Sequence, residues 1–282
     1  MNAKRATELA IIANKVRKNA LTGVYSAQSG HPGGSLSISD LLTLLYFEVM
    51  NIDPKNPKMA DRDRLVLSKG HTAPALYATL AERGFFPVED LATFRRIDSY
   101  LQGHPDMKNI PGVDMSTGSL GQGVSVAGGM ALSAKLDKKD YRVYAILGDG
   151  ELEEGQVWEQ AMFAPHYKLD NLTIFVDFNG LQIDGDITKV MNPTPIDKKF
   201  EAFGWNVIVC DAHSFDELLD AINKAKACKG KPTAVIMKSV KGKNVSFMEN
   251  VAGWHGSAPN EEQYNQAIAE LDAKIAELEA TL

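Results

Sequence analysis

Two apolar runs with a helical stretch between them set the frame of the chain over residues 142–184. Val143-Tyr144-Ala145-Ile146-Leu147 stops at Gly148-Asp149-Gly150, and Leu172-Thr173-Ile174-Phe175-Val176 stops at Asp177-Phe178-Asn179-Gly180. Short apolar runs bounded by turn residues predict buried strands, and the stretch between them predicts a crossover helix. In a parallel βαβ unit both strands end on the same side of the sheet. The spacing therefore places Asp149 and Asn179 side by side at one mouth. An Asp-Gly or Asn-Gly turn alone is common loop chemistry. The pair on adjacent strand ends offers hard oxygen ligands suited to Mg²⁺ or Ca²⁺, with positions left over for phosphate oxygens. Gly148 and Gly150 leave the backbone open to a ligand.

The length of 282 residues allows one large α/β domain or two small ones. The expectation is a single domain over 1–282: a doubly wound, mostly parallel sheet of about five strands with helices on both faces. Residues 3–27 have helical spacing, and 65–67, 205–210 and 232–237 read as further strands. Ser214 and Glu217 read as a capping box opening a helix to about Ala227, and Asn260 caps an amphipathic C-terminal helix over 260–282. Residues 185–195 read as a loop, and 28–35 as a glycine-rich loop leading into a helix over about 37–49 capped by Ser35 or Ser37.

A net charge of −6 gives no basic footprint for nucleic acid. No apolar run approaches membrane-spanning length, and charges interrupt the N-terminal stretch where an export signal would need an apolar core. Cys210 and Cys228 have neither C-x-x-C nor zinc spacing, so a reducing, cytoplasmic compartment is expected. The dinucleotide glycine fingerprint fails at Val126 and Glu153, and no Gly-Lys-Ser/Thr is present to form a P-loop.

The histidines are unevenly placed. His31, His71, His104 and His255 each sit in a glycine-, proline- or tryptophan-marked loop, whereas His166 and His213 lie in ordinary contexts and read as structural. If the four loops converge, they make a mouth able to bind hydroxyls and move protons near neutral pH.

These motifs, in this order, resemble the transketolase family. GHPGGSLS at 30–37, SKGHTAPALYATL at 68–80, QGHP at 102–105, STGSLGQG at 116–123, GDGELEEGQVWE at 148–159, DFNGLQIDG at 177–185 and GWHG at 253–256 carry the resemblance across residues 10–258. It implies thiamine diphosphate as cofactor, with Mg²⁺ (or Ca²⁺ in its place) held by Asp149, Asn179 and the Leu181 carbonyl. It further implies cofactor contacts from His71, Gly118, Ser119, Leu120, Gly150, Glu151, Asn179, Ile183 and His255. His31, His104 and His255 would meet the sugar, and Glu154 would join a carboxylate relay across a subunit interface. The implied reaction, of the pentose-phosphate type, moves a two-carbon ketol unit from a ketose phosphate to an aldose phosphate.

Complete transketolases carry a second region that activates the cofactor's aminopyrimidine ring, and nothing in this chain resembles it. The resemblance thus implies an N-terminal subunit that acts only with a C-terminal partner subunit, in an α2β2 assembly, or else a chain cut short. The helices over 121–135 and 156–163 are the expected interface. Competing readings are a subunit like 1-deoxyxylulose-phosphate synthase or a dehydrogenase E1 component, a non-catalytic cofactor-binding subunit, and an NAD enzyme, the last disfavoured by the failed fingerprint.

Overall fold

The computed structural model describes all residues 1–282. The chain opens with α1 (Ala3–Ala27), α2 (Pro32–Ser37) and α3 (Ser39–Leu44), the last continued by a π-helical turn, Leu45–Val49. β1 (Arg64–Leu67) and a 3-10 turn, Gly70–Thr72, lead into α4 (Ala73–Arg83). After a long irregular segment come α5 (Gln122–Leu136), β2 (Val143–Gly148), α6 (Gly155–His166) and β3 (Leu172–Phe178). A small hairpin, β4 (Leu181–Gln182) and β5 (Gly185–Asp186), precedes α7 (Ile187–Val190) and α8 (Ile196–Ala202). β6 (Asn206–Asp211), α9 (Phe215–Ala227), β7 (Thr233–Lys238) and α10 (Glu261–Glu279) complete the chain.

The main sheet has five strands in the order β1-β2-β3-β7-β6, every pair parallel. Alternation along the strands sends successive side chains to opposite faces. Tyr144, Ile146, Phe175 and Met237 pack with residues of α1, α3, α4 and α9. Val143, Ala145, Leu147, Ile174 and Val176 pack with Val124, Ala127 and Ala131 of α5, Val157 and Ala161 of α6, and Phe200 of α8. The sheet is therefore covered on both faces, which explains why its central strands are continuously apolar. Parallel pairing also gathers every strand's C-terminal end at one edge.

Local chemistry sets the element ends. Gly84 ends α4 at φ +92°, a conformation costly for a residue with a Cβ. Asn260 and Gln263 form a reciprocal capping box at the start of α10.

Several sequence expectations need correction. The glycine-rich loop is shorter than 28–35, ending at His31, and neither Ser35 nor Ser37 caps the helix that follows it. Pro32 at the first helical position starts α2 immediately after His31, and the whole helix is buried. Ser35 Oγ donates back to the His31 carbonyl at 2.7 Å, and Ser37 Oγ donates to Asp177 at 2.7 Å. Residues 185–195 include β5 and α7 rather than a plain loop. At α9, Ser214 accepts the Glu217 N–H, but the Glu217 carboxylate accepts from Asp211 N–H, so the box is not reciprocal.

The spacing of α5 from the sheet depends on glycine. A Cβ on Gly123 would lie 2.7 Å from the Ser68 Cα, whereas one on Gly129 would meet nothing within 4 Å. Gly123→Ala is expected to cost about 1–3 kcal/mol by overpacking, and Gly129→Ala to gain up to about 1 kcal/mol of helix propensity. Urea unfolding of the two variants checks this, and shifts of the same sign would contradict the packing described.

Candidate active site

The edge where the strands end holds a pocket of about 560 Å³. Asp149, one residue past β2, is 2 % exposed. Its two carboxylate oxygens accept the Gly150 N–H at 2.9 Å and the Gly180 N–H at 2.6 Å. Burial, reinforced by the nearby Asp177 carboxylate, pushes its pKa up to about 7. Asp177, the penultimate residue of β3, is fully buried but differently placed. It pairs with the Lys69 ammonium and accepts from Ser37, Ser239 and Asn179 Nδ2. Burial works to raise its pKa, yet the Lys69 charge and these donors hold it below the ordinary carboxylate range.

That network orients Asn179. A carboxylate only accepts, so the amide face turned to Asp177 is the NH₂ group. Asn179 Oδ1 then accepts the Leu181 N–H at 3.1 Å and keeps a lone pair free. Asp149, Asn179 and Leu181 all line the pocket. The Leu181 carbonyl already accepts from a cation, the Lys241 ammonium at 3.2 Å. No three His, Cys, Asp or Glu side chains form a self-sufficient metal cage. The oxygens present suit a hard cation that shares its coordination with a ligand such as diphosphate.

Three of the four loop histidines converge. Ring centroids are 5.0 Å apart for His31 and His71, 5.2 Å for His71 and His255, and 5.5 Å for His31 and His255. Lys241, 2 % exposed, lies 2.9 Å from His255 Nδ1, and burial and the Lys69 charge push its pKa down to about 8. Burial, then neighbouring cationic groups, lowers His31 to about 4 and His255 to about 3, and takes His71 well below its ordinary value. All three rings are neutral at physiological pH. His31 Nδ1 is buried with no partner, a polar atom that a ligand hydroxyl could satisfy.

Of the other residues singled out from the sequence, Leu120, Gly150, Glu151 and Ile183 line the pocket. Glu151, however, spends its carboxylate on Ser68 Oγ, Gly121 N–H at 2.9 Å and Gly148 N–H at 3.1 Å, so it clamps the wall. His104 is exposed and stands outside the trio, its ring against Gly118. Gly118 and Ser119 flank rather than line the pocket, and Gly70 lets that loop close in: its Cβ would lie 2.6 Å from Thr117 Oγ1. Glu154 is exposed at the start of α6. Sequence reasoning missed Lys69, Lys241, Gly34 and Gln182 in the lining. Lys69 had a signal, a lysine at a strand's C-terminal end beside Gly-His. Lys241 had none.

Residues 9–276 match the family described as transketolase, thiamine diphosphate binding domain. The chain belongs to the transketolase family. It is 48 % identical over 265 residues to the 6-deoxy-6-sulfo-D-fructose transketolase subunit SqwG of Clostridium sp. (strain MSTE9), covering 94 % of this chain and 96 % of that protein. It is 42 % identical to an apulose-4-phosphate transketolase subunit of Phocaeicola vulgatus, covering 96 % of each. Human transketolase is 42 % identical over 93 % of this chain, which spans only 42 % of the human protein. Campylobacter jejuni transketolase superposes with a TM-score of 0.86 at 31 % identity, over 99 % of this chain and 48 % of that one. The chain thus carries the thiamine diphosphate binding domain of a transketolase.

The depressed histidines give a pH signature. Each folded pKa lies below the unfolded value near 6.5, so on acidification the unfolded chain binds the proton first. Stability is then intact above about pH 6.5 and falls as pH drops toward the folded values. His31→Gln in the cofactor-free chain is expected to flatten that decline between about pH 6.5 and 4.5. Urea midpoints measured across that range check it, and an unchanged slope would contradict the burial of a neutral His31.

Proposed function

We propose that this transketolase chain is the N-terminal subunit of a two-chain enzyme that binds the diphosphate end of thiamine diphosphate through Mg²⁺ and transfers a two-carbon ketol unit between sugars. The observation that carries the reading is the meeting, in one pocket, of the Asp149, Asn179 and Leu181 oxygens with the His71–His255 pair. Asp149 is a buried carboxylate without a cation of its own, and Asn179 is oriented with an oxygen to spare. Those residues would hold Mg²⁺. When bound, the cofactor supplies the electron sink for carbon–carbon cleavage.

The chain's own residues do the rest. His71, Leu120, Gly150 and Ile183 seat the cofactor, and His31, His104 and His255 orient substrate hydroxyls. A neutral imidazole can accept a hydroxyl proton and return it, and His31 Nδ1 has no partner within the chain. Glu154, exposed on α6, is available to a carboxylate of another protomer. Support for a C-terminal partner comes from the relatives named as subunits, which match this chain end to end, whereas full-length transketolases extend to over twice its length. A 1:1 pairing of the two chains follows if each pocket needs both, and the α2β2 form is part of this proposal. The named sugars of those relatives favour a ketose carrying a terminal anionic group, phosphate or sulfonate, as donor. Two free cysteines fit a reducing compartment such as the cytoplasm.

The test is to assay ketol transfer with this chain alone and with the C-terminal half of a two-chain transketolase. Activity is expected only in the mixture, abolished by EDTA and restored by Mg²⁺. Asp149→Ala should lower it by more than the roughly 10–100-fold typical of outer-shell partners of a metal. Full activity from the chain alone would overturn the two-subunit reading. A mixture that accepts pyruvate but no ketose donor would favour the 1-deoxyxylulose-phosphate synthase-like alternative.

A further inference from the structure

The short segment that delivers Lys241 to the pocket is suspended from several sides. Ser239, just past β7, donates its N–H to the Phe178 carbonyl at 3.2 Å and its hydroxyl to Asp177. Gly242 donates its N–H to the Gly33 carbonyl of α2 at 3.0 Å. Between them, the Val240 N–H donates to His213 Nε2 at 3.0 Å. His213 lies between β6 and α9, with its own N–H held by Asp211 Oδ1 at 2.8 Å. It reads as structural from the sequence, and it stands apart from the pocket lining.

The chemistry behind His213 fixes which nitrogen does what. Its Nδ1 is 2.7 Å from Asp40 Oδ2. Asp40 is gripped through both oxygens by Arg17, and the two are 5 % and 1 % exposed. Burial is the strongest single influence and would raise the Asp40 pKa, but the Arg17 guanidinium and the His213 ring together outweigh it and hold the carboxyl at about 2. Asp40 is therefore only an acceptor, so Nδ1 carries the ring proton. Val240 N–H is only a donor, so Nε2 is the bare nitrogen. The relay Arg17–Asp40–His213 ends on a backbone amide one residue before Lys241.

We infer that His213 is a positioning residue of the cofactor pocket: backed by Asp40 and Arg17, it anchors Val240 and so sets where the Lys241 side chain meets the Leu181 carbonyl and His255. The inference rests on the pocket being the cofactor site. Lys241 reaches its two partners along a flexible four-carbon stem, so its position is only as exact as the backbone that carries it. Ser239 and Gly242 tie the segment to β3 and α2. His213 ties it to the α1–α3–α9 face of the sheet, and two residues past Gly242, Asn244 Nδ2 donates to Asn14 Oδ1 of α1 at 2.8 Å.

Two conservative variants separate positioning from simple support of Asp40. A glutamine amide reaches the place of Nε2 and can accept the Val240 N–H. An asparagine amide reaches only the place of Nδ1 and can donate to Asp40. In the two-chain mixture with Mg²⁺, His213→Gln is expected to keep thiamine diphosphate affinity within about threefold, while His213→Asn weakens it about 10–100-fold, the range found for outer-shell partners. Hydrogen exchange at Val240 should quicken in His213→Asn and stay slow in His213→Gln. In the unsubstituted chain, imidazole ¹⁵N shifts should report a protonated Nδ1 and a bare Nε2, a readout that needs no variant to fold. A bare Nδ1, or slow Val240 exchange and unweakened affinity in His213→Asn, would overturn the inference. If the unsubstituted two-chain mixture binds no thiamine diphosphate, the cofactor reading fails, while the exchange and ¹⁵N measurements still decide the tether.

Discussion

The pocket depends on one buried ion pair, Lys69 with Asp177. Lys69 is 2 % exposed and Asp177 fully buried, so neither charge has water to fall back on. Removing one partner of such a pair typically costs about 3–5 kcal/mol, because the other is left buried and uncompensated. A matched apolar pair can be as stable, so the value of this one lies in what it arranges. Lys69 extends from the end of β1 and donates to the Gly34 carbonyl of α2 at 3.3 Å. Asp177, next to the end of β3, collects Ser37 of α2, Ser239 past β7 and the Asn179 amide. Three strand ends and the glycine-rich helix are thereby held in register around one cavity.

The pair also divides labour among the carboxylates. Asp177 is neutralised within the chain. Glu151 is engaged by three donors, and burial raises its pKa. Asp149, held by two backbone N–H groups, has no cation of its own and is raised to about 7. One negative charge at the mouth is thus left for something brought in from outside. Lys241 answers it from the opposite wall, and its proximity helps keep His255 neutral. A cation that took over Asp149 and the Leu181 carbonyl would free Lys241 from that carbonyl for an anion. The electrostatics of the pocket are complementary to a metal–diphosphate unit.

The parts legible in the sequence are those written as local punctuation. Apolar runs broken by Gly-Asp-Gly and Asp-Phe-Asn-Gly locate β2 and β3 and the residues at their tips, and glycine- or proline-marked histidines locate the trio. The 28–35 stretch misleads because Pro-Gly-Gly-Ser-Leu-Ser has poor helix propensity. Complete burial against the pocket, which tertiary packing alone decides, overrides that preference. Lys69–Asp177, Lys241–Leu181 and His213–Val240 join residues 108, 60 and 27 positions apart. No periodicity or motif encodes such pairings. His213 illustrates the limit well: its sequence context is that of an ordinary loop, and only the fold places one ring nitrogen on Asp40 and the other on the segment beneath the pocket.

On the proposed reading, Asp149 and Asn179 hold the cofactor's anionic end from just past β2 and β3, and the buried Lys69–Asp177 pair holds that edge of the sheet together. His104 and Glu154, by contrast, are exposed, and Ile183 is 62 % exposed beside the pocket. Their exposed faces are open to whatever covers them, and the His104 ring keeps a contact with Gly118 beneath it. Rigid anchoring of the charged end and an open rim for the reacting end are physically separable tasks.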